Sequence, residues 1–265
     1  MSMQRVESDL KPFRKDSDPA KAGLAGIISN SLETWIELYD DFPLLPVTPP
    51  ASDASSAVEK PTAETSEVLP DLRQRTYELL SKVRKPSDEE RKSLTDKGFI
   101  FLPIEAKTLI KVVSEHPDHF WSDQLQFIAN LSHPDLRTYV PKAMEVAFNP
   151  SRLYIPDSFD KAQQAQLEMT ENYSQANLEK ELPDAKVLML PATVSAQADI
   201  AYFQMTKGQP LFRDRFIRAL DKTAGSLIAS VGRVRPGVRL AVDGWGAGVG
   251  YGNVGVPLAV VFLQK

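Results

Sequence analysis

Apolar residues recur every three or four positions through the first two thirds of the chain, which is the spacing of an amphipathic helix. Ser87 followed by Glu90 adds a capping-box sequence, which predicts a helix that begins there and ends near Gly98. Gly208 follows the last of these segments, in the position typical of a helix end. The pattern predicts helices over residues 20–40, 71–84, 87–98, 104–115, 122–131, 158–182 and 193–207.

After residue 210 the apolar spacing shortens to every second position, which is typical of β-strands. Glycine-rich turns separate the strand candidates in this part, and shorter candidates occur earlier. Residues 143–265 thus read as a strand, two helices and then several strands, which predicts an α+β fold class. The predicted strands are Phe99–Leu102, two within residues 143–155, Val187–Leu190, Phe216–Leu220, Ser226–Ser230, Val238–Val242 and Val256–Leu263.

Residues 43–70 contain six prolines among alanine, serine, threonine and glutamate. Such a composition cannot bury a core, so we predict a disordered Pro-rich linker over this range. The linker separates an N-terminal helical segment, residues 1–42, from the rest of the chain, which we call the body. We divide the body into a mainly helical region, residues 71–142, and an α+β domain, residues 143–265.

The 265-residue chain has a formal net charge of −4, so its overall charge does not point to nucleic acid or to an anionic membrane. It contains no cysteine, which excludes disulfides, thiolate metal sites and cysteine nucleophiles. No apolar run is long enough to span a membrane, and the N-terminus lacks the apolar core of a secretory signal. We therefore expect a cytoplasmic protein.

No motif in the chain has the context that a cofactor or a metal needs. Gly250–Gly255 spells GxGxxG, but a strand rather than a helix is predicted after it, so no helix N-terminus would face a pyrophosphate. The spacing of the three histidines matches no strong metal motif, since Pro117 interrupts the pair His116 and His119. We expect no cofactor, no metal and, with no recognisable catalytic arrangement, no enzyme activity.

Residues 213–239 are basic, which leaves an alternative function open. The segment could contact phosphates and make the chain a nucleic-acid-associated protein, although few aromatic residues are interleaved to stack on bases. Arginines that protect strand edges explain the same pattern. The basic residues are Arg213, Arg215, Arg218, Lys222, Arg233, Arg235 and Arg239.

Nine of the 13 glycines lie between Gly225 and Gly255, and they alternate with other residues from Gly244 to Gly252. A loop of this kind between two apolar strands is typical of an adaptable binding surface, in which aromatic residues provide contact area and small residues provide fit. An unliganded glycine-rich hairpin is the other interpretation. The candidate ligand-binding residues are Asp243, Trp245, Ala247, Val249, Tyr251 and Asn253.

The segment Arg239-Leu-Ala-Val-Asp-Gly-Trp245, the loop after it, and Asn253-Val-Gly-Val-Pro-Leu-Ala-Val260 resemble the end of C-type-lectin-fold proteins. The likeness is to the branch that includes formylglycine-generating-type domains and the variable proteins of diversity-generating retroelements. Residues 145–265 are also similar to hypothetical proteins of candidate-phylum bacteria. The resemblance covers less than half of the chain.

The resemblance implies a C-type-lectin-like C-terminal domain, residues 143–265, in which both ends of the domain close one sheet with Val256–Leu263 at its centre. It implies a display protein whose C-terminal loop binds a protein or carbohydrate ligand and is diversified by a retroelement. Formylglycine-generating enzymes act through cysteines, which this chain lacks, so the binding version is the one implied. Codons diversified in that family never yield tryptophan. Trp245 would therefore be scaffold, and the varied positions would be Asp243, Ala247, Val249, Tyr251 and Asn253.

Overall fold

A computed structural model describes residues 65–131, 133–233 and 237–264, with side chains from Leu72 onward. The predicted helix over 20–40 and most of the predicted linker lie outside these residues. The described residues belong to one compact unit. Within them the fold is α+β, as the sequence predicts, and no helix is long and apolar enough to cross a membrane.

Seven helices and one 3₁₀ turn, Pro117–His119, occur in the described part of the chain. Two predicted helix ends are confirmed in detail. Ser87 and Glu90 form the capping box, each side chain accepting a hydrogen bond from the other residue's backbone N–H. Gly208 closes the end of its helix by donating to the Phe203 carbonyl at 2.9 Å, with a φ of +116°, although Lys207 before it takes the left-handed position next to the cap. The helices are α1 Thr65–Ser81, α2 Asp88–Asp96, α3 Leu109–Glu115, α4 Gln124–Asn130, α5 Asp135–Thr138, α6 Gln163–Asn177 and α7 Ala192–Met205.

Nine strands in the same residues form two sheets, one of five strands and one of four. The first sheet contains β1 to β4 and β9, and the second contains β5 to β8. The strands are β1 Val83–Arg84, β2 Ile100–Ile104, β3 Met144–Phe148, β4 Ala185–Val187, β5 Phe216–Lys222, β6 Leu227–Gly232, β7 Ala241–Gly246, β8 Val254–Gly255 and β9 Ala259–Leu263.

Strand β9 lies at the centre of the first sheet. Val260 pairs with Ala147 of β3 and also with β4, so these strands lie on opposite edges of β9. Phe262 pairs in the same way with Arg84 of β1 and with β4. The first and last strands of residues 143–265 therefore pair antiparallel, as expected. The mainly helical region before residue 143 also contributes to this sheet, because β1 pairs with β9 and β2 pairs with β3.

The second sheet is an antiparallel β5–β6–β7 meander, to which β8 adds parallel to β5. Helix α7 lies between the sheets, because it contacts β2 of the first and both β5 and β6 of the second. Ten of its 14 residues are buried. A helix that is buried nearly all round belongs to the core rather than to the surface.

Several predicted boundaries differ from the structure. Helix α1 begins at Thr65, inside the predicted linker. Pro103 lies within β2, where it is tolerated because β2 is the outer strand of its sheet. Helix α3 begins only after Thr108, whose hydroxyl caps it. Helix α6 is shorter than predicted at both ends. Strand β7 extends to Gly246, so the glycine-rich loop is shorter than predicted and covers residues 247–253.

Candidate functional site

The six predicted binding residues lie on two elements. Asp243 and Trp245 are in β7, not in the loop, whereas the other four lie in the loop between β7 and β8. Val249 is the most exposed of the six, with 52% of its surface accessible. The other five are partly exposed. Val249 is therefore the side chain that a ligand reaches most readily without any change in the loop.

Trp245 and Tyr251 belong to an aromatic cluster with Phe216. The Trp245 ring lies 5.7 Å from that of Phe216 on β5 and 4.6 Å from that of Tyr251, edge to face. The Tyr251 hydroxyl oxygen also accepts a hydrogen bond from the Gly246 N–H at 3.3 Å. Aromatic pairs of this geometry add to the stability that burial provides. Tyr251 therefore supports the loop, although the resemblance places it among the varied positions.

Asp243 is the one acidic residue of the predicted site. Its carboxylate accepts a hydrogen bond from the Gly244 N–H at 2.7 Å, and burial raises its pKa. On the neighbouring strand its partner is Ser230, a buried serine whose hydroxyl makes no hydrogen bond in the structure. Asp243 thus lies in the sheet, with little solvent around it.

The main chain of the loop is held by donors that lie outside the loop. The Ala247 and Tyr251 carbonyls accept hydrogen bonds from the backbone N–H groups of Gln163 and Asp160, at 2.9 and 3.1 Å. The Asn253 carbonyl accepts one at 2.9 Å from the first residue of β5. The loop therefore lies against the start of α6 and the start of β5 through its backbone.

Gly250 shows how closely the loop approaches the segment before α6. A Cβ atom at this position would lie 2.3 Å from the Asp160 carbonyl oxygen, far inside any real contact. Glycine is required at position 250 because only a residue without a side chain permits this approach.

Arg218 holds the loop from below. Its side chain is fully buried, and its guanidinium donates to the Gly246 and Val249 carbonyls, both at 3.1 Å. Its Nε donates to the Gln166 side-chain oxygen at 2.9 Å. The sequence analysis places Arg218 in the basic segment and misses this role. One sequence signal was available, since Arg218 stands in a strand whose other residues are mostly apolar.

No family model, curated protein or solved structure matches this chain. A function has to be inferred from the described residues themselves.

Two arginines of the basic segment are not at the surface. Arg218 and Arg233 are buried, with 0% and 3% of their surface exposed, so neither can reach a nucleic acid. Arg213, Arg215 and Arg239 are exposed, whereas Arg235 lies outside the described residues. Fewer arginines of this segment are therefore available to contact phosphates than the sequence suggests.

Two of the histidines pair with carboxylates. His119 Nε2 lies 2.7 Å from an oxygen of the buried Asp199, which Arg233 also contacts at 2.7 Å. These contacts keep the pKa of Asp199 low despite its burial. His133 Nδ1 lies 3.1 Å from an Asp135 oxygen. Within the described residues no group of histidine, aspartate and glutamate side chains is arranged to hold a metal ion.

A second polar cluster lies where α1 meets β5. The buried Asp221 accepts hydrogen bonds from the Ala192 N–H, at the start of α7, and from the Tyr77 hydroxyl at 3.1 Å. Burial raises the pKa of Asp221 to about 6, and the nearby Asp135 adds to this rise. Arg73 forms an ion pair with Asp135 and so attaches α1 to the body.

A small cavity of about 110 Å³ lies between α3 and α7. The Lys107 ammonium group at its edge is paired with Glu105 and Glu115. The Gln197 side chain is hydrogen-bonded to the Glu105 backbone. Lys107, Glu105, Glu115 and Gln197 at this cavity are thus already paired with one another.

Proposed function

We propose that this chain is a ligand-binding display protein, that residues 143–265 form a C-type-lectin-like domain, and that the loop between β7 and β8 carries its binding surface. We propose further that this loop is diversified in the manner of diversity-generating retroelements. The ligand would be a protein or a carbohydrate, and the chain itself would catalyse no reaction.

The order of the elements supports the proposed fold. Strand β3, helices α6 and α7, and then the strands β5 to β9 follow one another in the order expected for a C-type-lectin-like domain. The pairing of β3 with β9 brings both ends of the region into one sheet. The loop leaves the second sheet after β7 and returns at β8, so it is anchored at both ends by strands.

The way in which the loop is held is the observation that carries the proposed function. The carbonyls at positions 246, 247, 249, 251 and 253 accept hydrogen bonds from donors on β5 and α6 and from Asp160. None of these bonds uses a side chain of the loop. A loop fixed through its backbone keeps its shape when its exposed side chains change, which is what a diversified binding surface requires.

The exposed positions suit that role. Val249 presents its side chain to solvent and Ala247 and Asn253 are partly exposed, whereas the partly exposed Trp245 and Tyr251 rings pack against each other. Because glycines alternate with these positions, larger side chains would meet few neighbours within the loop. Exposed Gly248, for example, has no atom within 4 Å of the place where its Cβ would lie. Substitution at the exposed positions would therefore change what the surface contacts without changing the fold.

Sequencing of the gene and its surroundings in related strains tests the proposal. We expect substitutions concentrated in the codons for residues 247, 249 and 253, together with a reverse-transcriptase gene and a template repeat nearby. Variation spread evenly along the gene, with neither element present, would contradict diversification.

A display experiment tests binding itself. A library randomised at Ala247, Val249 and Asn253 should yield folded clones that bind individual members of a panel of proteins and oligosaccharides. A library of equal size at exposed positions of α2, namely Glu89, Lys92 and Thr95, provides the matched control. Equal enrichment from both libraries would show that the loop has no special capacity for binding.

A further inference from the structure

The Arg218 guanidinium is unusual because it is buried without a carboxylate partner among its hydrogen bonds. Its acceptors are the Gln166 amide oxygen and the carbonyls of Gly246 and Val249, all neutral groups. Buried arginines are rare unless they are paired. Burial accordingly lowers the pKa of Arg218 to about 10, which still leaves it charged at neutral pH.

The position of the two carbonyls explains what the buried charge does. Gly246 is the last residue of β7, and Val249 lies in the middle of the loop, so one planar guanidinium joins the loop's start to its centre. Hydrogen bonds from a charged donor are stronger than neutral ones, and the fork of an arginine fixes the direction of both. No other side-chain type presents parallel donors at this spacing.

Gln166 extends the same network to the end of the loop. Its side-chain oxygen accepts from Arg218, and its side-chain N–H₂ donates to the Ser158 carbonyl at 2.8 Å and to the Val254 carbonyl at 3.1 Å. Val254 is the first residue of β8. Two buried side chains therefore hold the loop at its start, its centre and its end.

One ring of the aromatic cluster also contacts this network. The Tyr251 ring lies 5.6 Å from the Arg218 guanidinium carbon, within the range of a cation–π contact. Such contacts are stronger where the cation is removed from water. Tyr251 is a loop residue, so its contact with Arg218 links the buried charge to the conformation of the loop.

We propose that Arg218, oriented by Gln166, is the positioning residue of the binding surface: it sets the shape of the loop through the Gly246 and Val249 carbonyls, whatever side chains the exposed positions carry. The inference rests on the proposed function in that it assigns a role within the same surface. Its physical content, the dependence of the loop conformation on one buried guanidinium, can be measured without any ligand.

Native-state hydrogen exchange of the full chain tests this directly. The amides of Asp160 and Gln163 report on the loop because they donate to loop carbonyls, and the Leu263 amide in β9 reports on the first sheet. Arg218→Met removes the donors and keeps most of the side-chain length. We expect amide exchange at Asp160 and Gln163 to become at least about tenfold faster, whereas amide exchange at Leu263 should stay unchanged.

Two further variants test whether this result is specific to the Arg218 guanidinium. Arg218→Lys keeps a charge but cannot donate to both carbonyls in parallel, so it should show the same selective loss and serves if Arg218→Met does not fold. Arg213→Met is the matched control, since Arg213 is an exposed arginine shortly before β5. The control should leave exchange at Asp160 and Gln163 unchanged.

A second measurement separates positioning from simple structural support. A set of Val249 substitutions should give melting temperatures and loop exchange rates that agree closely in the wild-type background and diverge in the Arg218→Lys background. If the Arg218→Lys change lowered the melting temperature by the same amount in every Val249 variant, that result would contradict a positioning role. Unchanged loop exchange in both folded Arg218 variants would overturn the inference.

The failure of this inference and that of the proposed function are distinguishable. If loop exchange depends on Arg218 but no binder emerges from the randomised loop, the positioning role stands and the display function falls. If binders emerge while amide exchange in the loop does not depend on Arg218, the display function is supported and the positioning role is refuted.

Discussion

Replacement of Asp221 by asparagine should remove the pH dependence that this carboxyl gives to folding stability. Asp221 is buried where α1, α7 and β5 meet, and it accepts hydrogen bonds from the Ala192 N–H and the Tyr77 hydroxyl. Asp135 faces it with a like charge and Arg73 with an opposite one. An asparagine fits the same space, because its oxygen can accept from Ala192 and its amide can donate to the Tyr77 oxygen.

The magnitude follows from the shift in pKa. Burial raises the pKa of Asp221 from its ordinary value of 3.8 to about 6. Between these values the folded state binds more protons than the unfolded state, so the free energy of unfolding falls as the pH rises. A shift of about two pKa units corresponds to about 3 kcal/mol in total, of which about 2 kcal/mol should be lost between about pH 4.5 and 7.

Urea unfolding of the wild type and of Asp221→Asn at several pH values between 4.5 and 7.5 measures this loss. The difference in the free energy of unfolding between the two proteins isolates Asp221, since all other groups titrate in both. Asp214→Asn, at an exposed position just before β5, is the matched control for the loss of one carboxylate. A difference between wild type and Asp221→Asn that stays constant over this range would refute a raised pKa.

Three further predictions concern stability. Asp199→Asn should cost about 3 kcal/mol in urea unfolding, because the buried charge of Arg233 loses its carboxylate; a cost below about 1 kcal/mol would contradict this. Ser87→Ala should cost about 1 kcal/mol through loss of the capping box, and no measurable change would show that the cap adds nothing. Gly250→Ala should lower the melting temperature clearly, whereas Val249→Ala should stay within about 0.5 kcal/mol of the wild type. Equal effects of the two changes would contradict the described loop geometry.

Much of the local structure could be predicted because its causes are local. The capping box at Ser87 and the glycine end of α7 depend on neighbouring residues alone. The change of apolar spacing after residue 210 marks the second sheet for the same reason. Boundaries were wrong where a distant partner decided them: β7 extends to Gly246 because β6 pairs with it that far.

The candidate site was predicted only in part. The sequence directed attention to the loop, in which Val249 is exposed and Ala247, Tyr251 and Asn253 are partly exposed. It could not show that Tyr251 packs inward on Trp245, because aromatic residues are common both in cores and on binding surfaces. The apolar neighbours of Arg218 in its strand set it apart from the exposed arginines nearby, but they do not state which groups its guanidinium would contact.

By itself, the sequence determined the α+β class, the ends of several helices and the location of a glycine-rich loop near the C-terminus. These depend on periodicity, caps and backbone freedom, which act over a few residues. Only the tertiary structure decided that β9 lies at the centre of a sheet joining both parts of the body, and that one buried arginine holds the loop. Burial and long-range hydrogen bonding arise when residues far apart in the chain come together, and no local pattern encodes their partners.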